Sequence, residues 1–216
     1  MSAADHHHPA ILPHEYPEDA QYGRATAGKI GMWVFLLSDA FSFGGLLLAY
    51  GILRGGTKGE WVAEGAPEFG INFTAGLTFL LICSSVSMVM SYAACVEKDR
   101  KGMIKWLAIT VLGGVLFLCG QMQEYFGTFE AIFHHEGLIA EGLIFGQGHR
   151  ATTFYCITGF HGMHVLTGVI YLSITLIRAI MGKYDDGNYN EIEIAGLFWH
   201  FVDLVWILVF TFVYLL

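Results

Sequence analysis

Along the 216 residues, long apolar stretches alternate with short polar connections. Five stretches, near 29–53, 72–94, 103–126, 152–178 and 195–216, each exceed the roughly 20 residues a helix needs to cross a hydrocarbon core at about 1.5 Å of rise per residue. None alternates apolar and polar positions with period two, as a barrel strand would. Because unpaired backbone groups are too costly in hydrocarbon, all five predict helices. The expected fold is all-α, a polytopic membrane helical bundle with five transmembrane helices over 29–216. A polar N-terminal tail, 1–28, precedes it.

Composition agrees with that pattern. Apolar residues make up 55% of the chain and charged residues only 14%, far from the balance of a soluble domain. The formal net charge of -8 resides mainly in the tail and connections, so its sign says little about partners. No basic stripe or nucleic-acid motif is present, and no nucleic acid is expected as a partner. In the tail, His6, His7 and His8 are followed by Pro9, Pro13 and Pro17, which reads as a native or tag-like flexible segment. It lacks the basic region, short apolar core and small-residue cleavage site of a signal peptide, so the first helix is expected to remain. Cys83, Cys95, Cys119 and Cys156 fall in or at the ends of the apolar stretches without paired spacing. They read as small apolar residues, not as a disulfide framework, haem attachment or thiolate site.

Charge asymmetry predicts orientation. With the N-terminus cytoplasmic, Arg24, Lys29, Lys98, Arg100, Lys101, Lys105, Arg178 and Lys183 lie inside, and only Arg54, Lys58 and Arg150 lie outside. An N-in, C-out topology follows. The long connection over 127–150 then faces outward, with its His134-His135 pair in a loop.

Ionisable groups at bilayer depth cost about 2.5 kcal/mol or more apiece on insertion scales, so those present need partners. The candidates are few. Asp39 in FLLSDAF lies near the midplane of the first helix, where the chain offers no Lys or Arg, since Lys29 and Arg54 sit at the two ends. It is expected to be protonated and hydrogen-bonded. Gln121 and Glu124 are i, i+3 near the outer end of the third helix, His161 and His164 are i, i+3 in TGFHGMHVLTGV, and His200 and Asp203 are i, i+3 in WHFVDLVW. Hydrogen bonding across helices explains such groups at about 1 kcal/mol each, and Gly44, Gly45, Gly159, Gly162 and Gly168 would permit the close approach it needs. Proton handling, lipid headgroup contact and metal ligation are the alternatives. A pairing of His164 with His200 around a haem is compatible with a bilayer about 30 Å thick, but no second pair accompanies it.

TGFHGMHVLTGV followed by LFWHFVDLVWILVF resembles subunit III of the haem-copper oxidases, the cytochrome c oxidase and quinol oxidase family. Gln121, Glu124 and Tyr125 resemble that family's Q-x-x-E-Y on the preceding helix, and Glu193 occupies the position of a further family carboxylate. The likeness runs from about Lys29 to the end and is to the short, five-helix bacterial type. Two departures stand out. Asp39 replaces the usual Glu after Ser38, and Leu48 and Ile52 replace the Trp and His that touch lipid headgroups in the longer form.

The resemblance implies a non-catalytic subunit with no redox cofactor of its own, haem and copper being carried by partner subunits I and II. It implies a role in stabilising the oxidase core and supporting proton uptake in aerobic respiration, with bound phospholipid, in the bacterial inner membrane. Asp39, Glu124 and Asp203 would be its intramembrane acids, and Gln121, His161, His164, Glu193 and His200 its helix-helix or lipid-side contacts. Two other functions are compatible with the residues: a small membrane cytochrome or metal-dependent oxidoreductase ligated by His161, His164 or His200, and the related chains that accompany nitric oxide reductases.

Overall fold

The computed structural model describes residues 26–56, 61, 70–127, 137–140, 142–185 and 189–216. Most of the polar tail, with His6, His7, His8 and Arg24, lies outside that set, as do Lys58, His134 and His135. Five helices among the described residues are long and apolar enough to cross a membrane. They are α1 (Ala27–Gly56), α2 (Ile71–Val96), α3 (Arg100–Phe126), α4 (Gly148–Ile180) and α5 (Asn190–Val209), the last continuing into a π-helical turn, Phe210–Leu215. Each expected span falls within a helix or its π-helical extension except for the terminal Leu216, and most helices run a few residues further because polar end residues complete the backbone ladder outside the apolar stretch.

The tight turn 97–99 makes α2 and α3 an antiparallel hairpin and puts Lys98 in the left-handed region, at φ 60°. Gly127, at φ 62°, caps α3 by returning its N–H to the carbonyl of Gln123, a conformation that suits a residue without Cβ. The connections set the order of packing. α3 packs against α2 and α4, α5 against α2, α4 and α1, and α1 mainly against α4 and α5. Consequently α5 is the most enclosed helix, with 50% of its apolar window buried, whereas α1 lies at the edge with 17%.

Trp199 and Trp206 of α5 form the centre of the core, both fully buried. Hydrocarbon solvent supplies no hydrophobic drive for helices to associate, so close fit and hydrogen bonds must do so. The indole N–H of Trp199 donates to Ser84 Oγ at 3.1 Å and that of Trp206 to Thr78 Oγ1 at 2.9 Å, both on α2. A Cβ on Gly114 of α3 would come within 2.6 Å of both Trp199 and Val169, so the glycine is what lets α3 and α4 close over the indole. Ser87 Oγ and Thr110 Oγ1 share a hydrogen bond at 2.8 Å across the α2–α3 hairpin.

Candidate functional site

Several polar residues in the membrane-spanning part are joined between helices. At the edge helix, Asp39 of α1 places Oδ2 2.9 Å from Nε2 of His164 on α4. The approach lies off the hydrogen-bond axis, so the contact is chiefly electrostatic. The other ring nitrogen, Nδ1, is 2.8 Å from the carbonyl oxygen of Phe160, and since a carbonyl only accepts, Nδ1 carries a hydrogen. A single further hydrogen, on Asp39 or on Nε2, makes the contact attractive. The partner of Asp39 lies on no neighbouring turn of α1: His164 is 125 residues away in the chain and reaches Asp39 only through packing.

His161, one turn earlier on α4, behaves differently. It is fully buried, and neither ring nitrogen has a hydrogen-bond partner. Its ring lies tilted against Trp206 at 4.8 Å between centroids and meets Phe117 and Phe43 edge-on at 5.9 and 6.2 Å. His161 therefore serves as one more ring in an aromatic layer between α1, α3, α4 and α5. The two histidines of the motif thus face different surroundings. His164 turns to the α1 carboxylate, and His161 to the core.

On α5, His200 and Asp203 do share a face, and both meet the same α2 residue. Ser85 Oγ shares a hydrogen bond with His200 Nδ1 at 2.6 Å and lies beside Asp203, whose Oδ1 is left without a hydrogen-bond partner among the described residues. This takes His200 to α2 and His164 to α1, so the two are not a bis-histidine pair. Gln121 and Glu124 diverge as well. Gln121 Nε2 donates to the carbonyl oxygen of Thr158 on α4 and to the hydroxyl of Tyr125, each at 2.8 Å, and Tyr125 passes its own hydrogen to Thr158 Oγ1 at 2.6 Å. Glu124 instead accepts from Thr74 of α2 and from Tyr214 of the π-helical turn, both at 3.0 Å. Positions i and i+3 differ by about 60° around a helix, enough at a three-helix junction to send the pair to different neighbours. Gly162 makes the first contact possible, as a Cβ there would be 2.8 Å from Gln121 Oε1.

At the end bearing the α2–α3 turn, charge replaces these neutral contacts. Lys29 of α1 pairs with Glu193 of α5 at 2.6 Å and lies over the Tyr189 ring. Glu191 gathers Arg178 at 2.8 Å and Lys183 at 3.0 Å and accepts from the Tyr184 hydroxyl at 2.7 Å. Burial first, and this bond second, push the Tyr184 phenol well above its ordinary range. The sequence pattern did not single out Glu191 or Tyr184. Their only signal was position, in a charged turn closing two long helices.

No group of three His, Cys, Asp or Glu side chains converges as a metal site among the described residues. Cys83, Cys119 and Cys156 are exposed, Cys95 is buried, and all four are free thiols.

Residues 21–216 match the family described as cytochrome c oxidase subunit III. The chain belongs to the cytochrome c oxidase subunit III family. It is 37% identical to cytochrome c oxidase subunit 3 of Synechocystis sp. over 90% of this chain and 78% of that one. The corresponding subunit of Thermostichus vulcanus is 35% identical over 87% and 86%. Cytochrome bo(3) ubiquinol oxidase subunit 3 of Pseudomonas putida is 32% identical over 87% and 84%. Both names fall within haem-copper oxidase subunit III, and the five spanning helices make this chain a multi-pass membrane protein of such an oxidase.

Proposed function

We propose that this subunit III is a non-catalytic helical support beside oxidase subunits I and II. In this reading it stabilises the core, supports proton uptake and binds phospholipid, while electron transfer to dioxygen proceeds on the haem and copper of its partners. It lies in the bacterial inner membrane, N-terminus inside. The observation that carries the proposal is how the histidines are used. His164 has both ring nitrogens engaged, by Phe160 and Asp39, His200 has Nδ1 on Ser85, and His161 is closed in by Phe43, Phe117 and Trp206. That use favours helix joining over ligation and weighs against the membrane-cytochrome alternative.

Asp39 is the group through which proton uptake is best tested, being a carboxylate paired to a titratable ring at the edge of the bundle. In the purified oxidase, Asp39→Asn should assemble with unchanged haem and copper content, as should the double variant His161→Gln, His164→Gln, because Gln keeps donor and acceptor capacity. Turnover of Asp39→Asn should fall, most at high pH where protons are scarce. Wild-type turnover across the pH range would remove Asp39 from proton uptake, and loss of a stoichiometric haem from an assembled double variant would restore the cytochrome reading.

A further inference from the structure

Ser85 of α2 stands between two ionisable side chains of α5. Its Oγ is 2.6 Å from His200 Nδ1 and lies beside Asp203, whose buried Oδ1 has no hydrogen-bond partner among the described residues. We propose that Asp203, Ser85 and His200 form a proton relay, which takes up and releases a proton at His200 Nε2 in the groove between α1 and α5. The inference goes beyond the Asp39 reading above and concerns a different acid on a different pair of helices.

The count of hydrogens carries it. A serine hydroxyl has one hydrogen and two lone pairs, so Ser85 can donate to His200 or to Asp203 but not to both. While it donates to Nδ1, Asp203 must bring a hydrogen of its own to be matched. While it donates to Asp203, Nδ1 must carry one. Both arrangements keep the same heavy atoms in place and differ by two hydrogens that each move one position. Asp203 gives its proton to Ser85 Oγ as Ser85 gives its hydrogen to Nδ1, which leaves a carboxylate, an intact hydroxyl and an imidazolium. Loss of the Nε2 proton to a water then leaves a neutral ring, and the reverse sequence reloads the acid. Every oxygen and nitrogen keeps its electrons, and charge is conserved at each step.

The surroundings suit Ser85 and His200 to this use and not their neighbours. Thr78, Ser84 and Ser87 of α2 donate to backbone carbonyls one turn back, and Ser91 donates to that of Met103. No such bond ties the Ser85 hydroxyl among the described residues. His164 has Nδ1 held by the carbonyl of Phe160, so its ring exchanges a proton only where it meets Asp39 and passes none through. His200 instead has Nδ1 on a hydroxyl and Nε2 left for the groove whose wall it joins. That groove, about 350 Å³ and otherwise apolar, selects for the proton. A hydrated ion would find nothing there to replace its water, whereas one water molecule can bring a proton to the ring. Other titratable groups on the elements around α5 are engaged elsewhere: Asp39 with His164, His161 against Trp206, Glu124 with Tyr214, and Lys29 with Glu193 two turns below His200.

The test follows deuterium exchange into Asp203 by infrared spectroscopy of the intact oxidase in detergent, its protonated-carboxyl band being the one that Asp203→Asn removes. If Asp203→Asn does not assemble, Asp203→Glu, which moves the band, identifies it instead. On transfer to heavy water the band should shift quickly in wild type and about a hundredfold or more slowly in Ser85→Ala and in His200→Gln, the loss expected when a positioned proton carrier is removed. Ser85→Thr, which keeps the hydroxyl, should restore exchange, and Leu204→Trp, which fills the groove, should slow it. Asp39→Asn should exchange at the wild-type rate, so the relay and the Asp39 reading can fail separately. Wild-type rates in both Ser85→Ala and His200→Gln, or faster exchange in Ser85→Ala, would show that water reaches Asp203 without the relay and would overturn it. So would the lack, at every pH where the oxidase is stable, of any carboxyl band belonging to Asp203. Should Ser85→Ala fail to assemble, His200→Gln decides alone.

Discussion

Two histidines three residues apart on α4 carry opposite requirements. Removing His164 strands Asp39, which loses its partner at 2.9 Å and stays buried. Breaking a buried pair from one side costs about 3 kcal/mol or more. His161 has no such partner, and a buried polar atom left unmatched itself costs about 1–3 kcal/mol. His161→Phe should accordingly leave stability unchanged or raise it by about 1 kcal/mol, because a Phe ring keeps the contacts to Trp206 and Phe117 and removes two unmatched nitrogens. His164→Phe should lower stability by about 3 kcal/mol. Denaturation of the oxidase by dodecyl sulfate, followed through release of this chain, would separate the two. Equal losses would mean that His161 has a polar partner after all, such as a buried water.

Among helices, the decisive quantity is how near two backbones can come. Gly114 lies where α3 meets Trp199 and Val169, and any side chain there has to displace an indole already fixed by Ser84. Gly44, on the outer part of α1, has nothing within 4 Å of its position for a Cβ. Both are glycines in helix interiors, yet they should respond in opposite directions. Gly114→Val should cost about 1–3 kcal/mol or more through overpacking. Gly44→Ala should be neutral or gain about 1 kcal/mol, the usual helix-propensity difference in a chain that stays helical. The same unfolding titration serves for both, and a loss at Gly44 equal to that at Gly114 would show that a partner helix lies against α1. The π-helical turn belongs to this scale as well. By widening the backbone at Phe210–Leu215 it accompanies the placement of Tyr214 on Glu124, and it holds the carbonyl of Val213 against the Tyr50 hydroxyl at 3.3 Å.

For the whole molecule, five spans put the two ends of the bundle on different sides of the membrane. The end with the α2–α3 turn holds Lys98, Arg100, Lys101, Lys105, Arg178 and Lys183, and Lys105 lies against the ring of Trp106 at 5.5 Å as an interfacial anchor. That concentration of positive charge predicts a cytoplasmic N-terminus and an external C-terminus. Alkaline phosphatase and green fluorescent protein fusions at Lys101 and Leu216 should report opposite sides, Lys101 inside. The same side for both would be incompatible with five crossings. In an arrangement where α1 packs mainly against α4 and α5, the outer face of α1 carries Leu48 and Ile52, 65% and 66% exposed. Their apolar side chains cannot hold a headgroup through hydrogen bonds.

The fold class and the number of spans were legible in the chain because each follows from a local property, apolar length, that hydrocarbon enforces without reference to neighbours. The family was legible too, since TGFHGMHV and WHFVDLVW are contiguous in sequence. The same holds for the shared face of His200 and Asp203, which depends only on helix periodicity and which turns both toward Ser85. Pairing was not legible. Asp39 with His164, Glu124 with Thr74 and Tyr214, and Lys29 with Glu193 join residues from 50 to 164 positions apart, and nothing in one helix states how a neighbour is rotated or how deep it sits. Nor could the motif reveal that His161 packs as an aromatic ring while His164 meets a carboxylate, for both are the same residue on the same turn. In a membrane, where apolar surface alone does not drive helices together, that division is made by interhelical fit, which exists only once the bundle has closed.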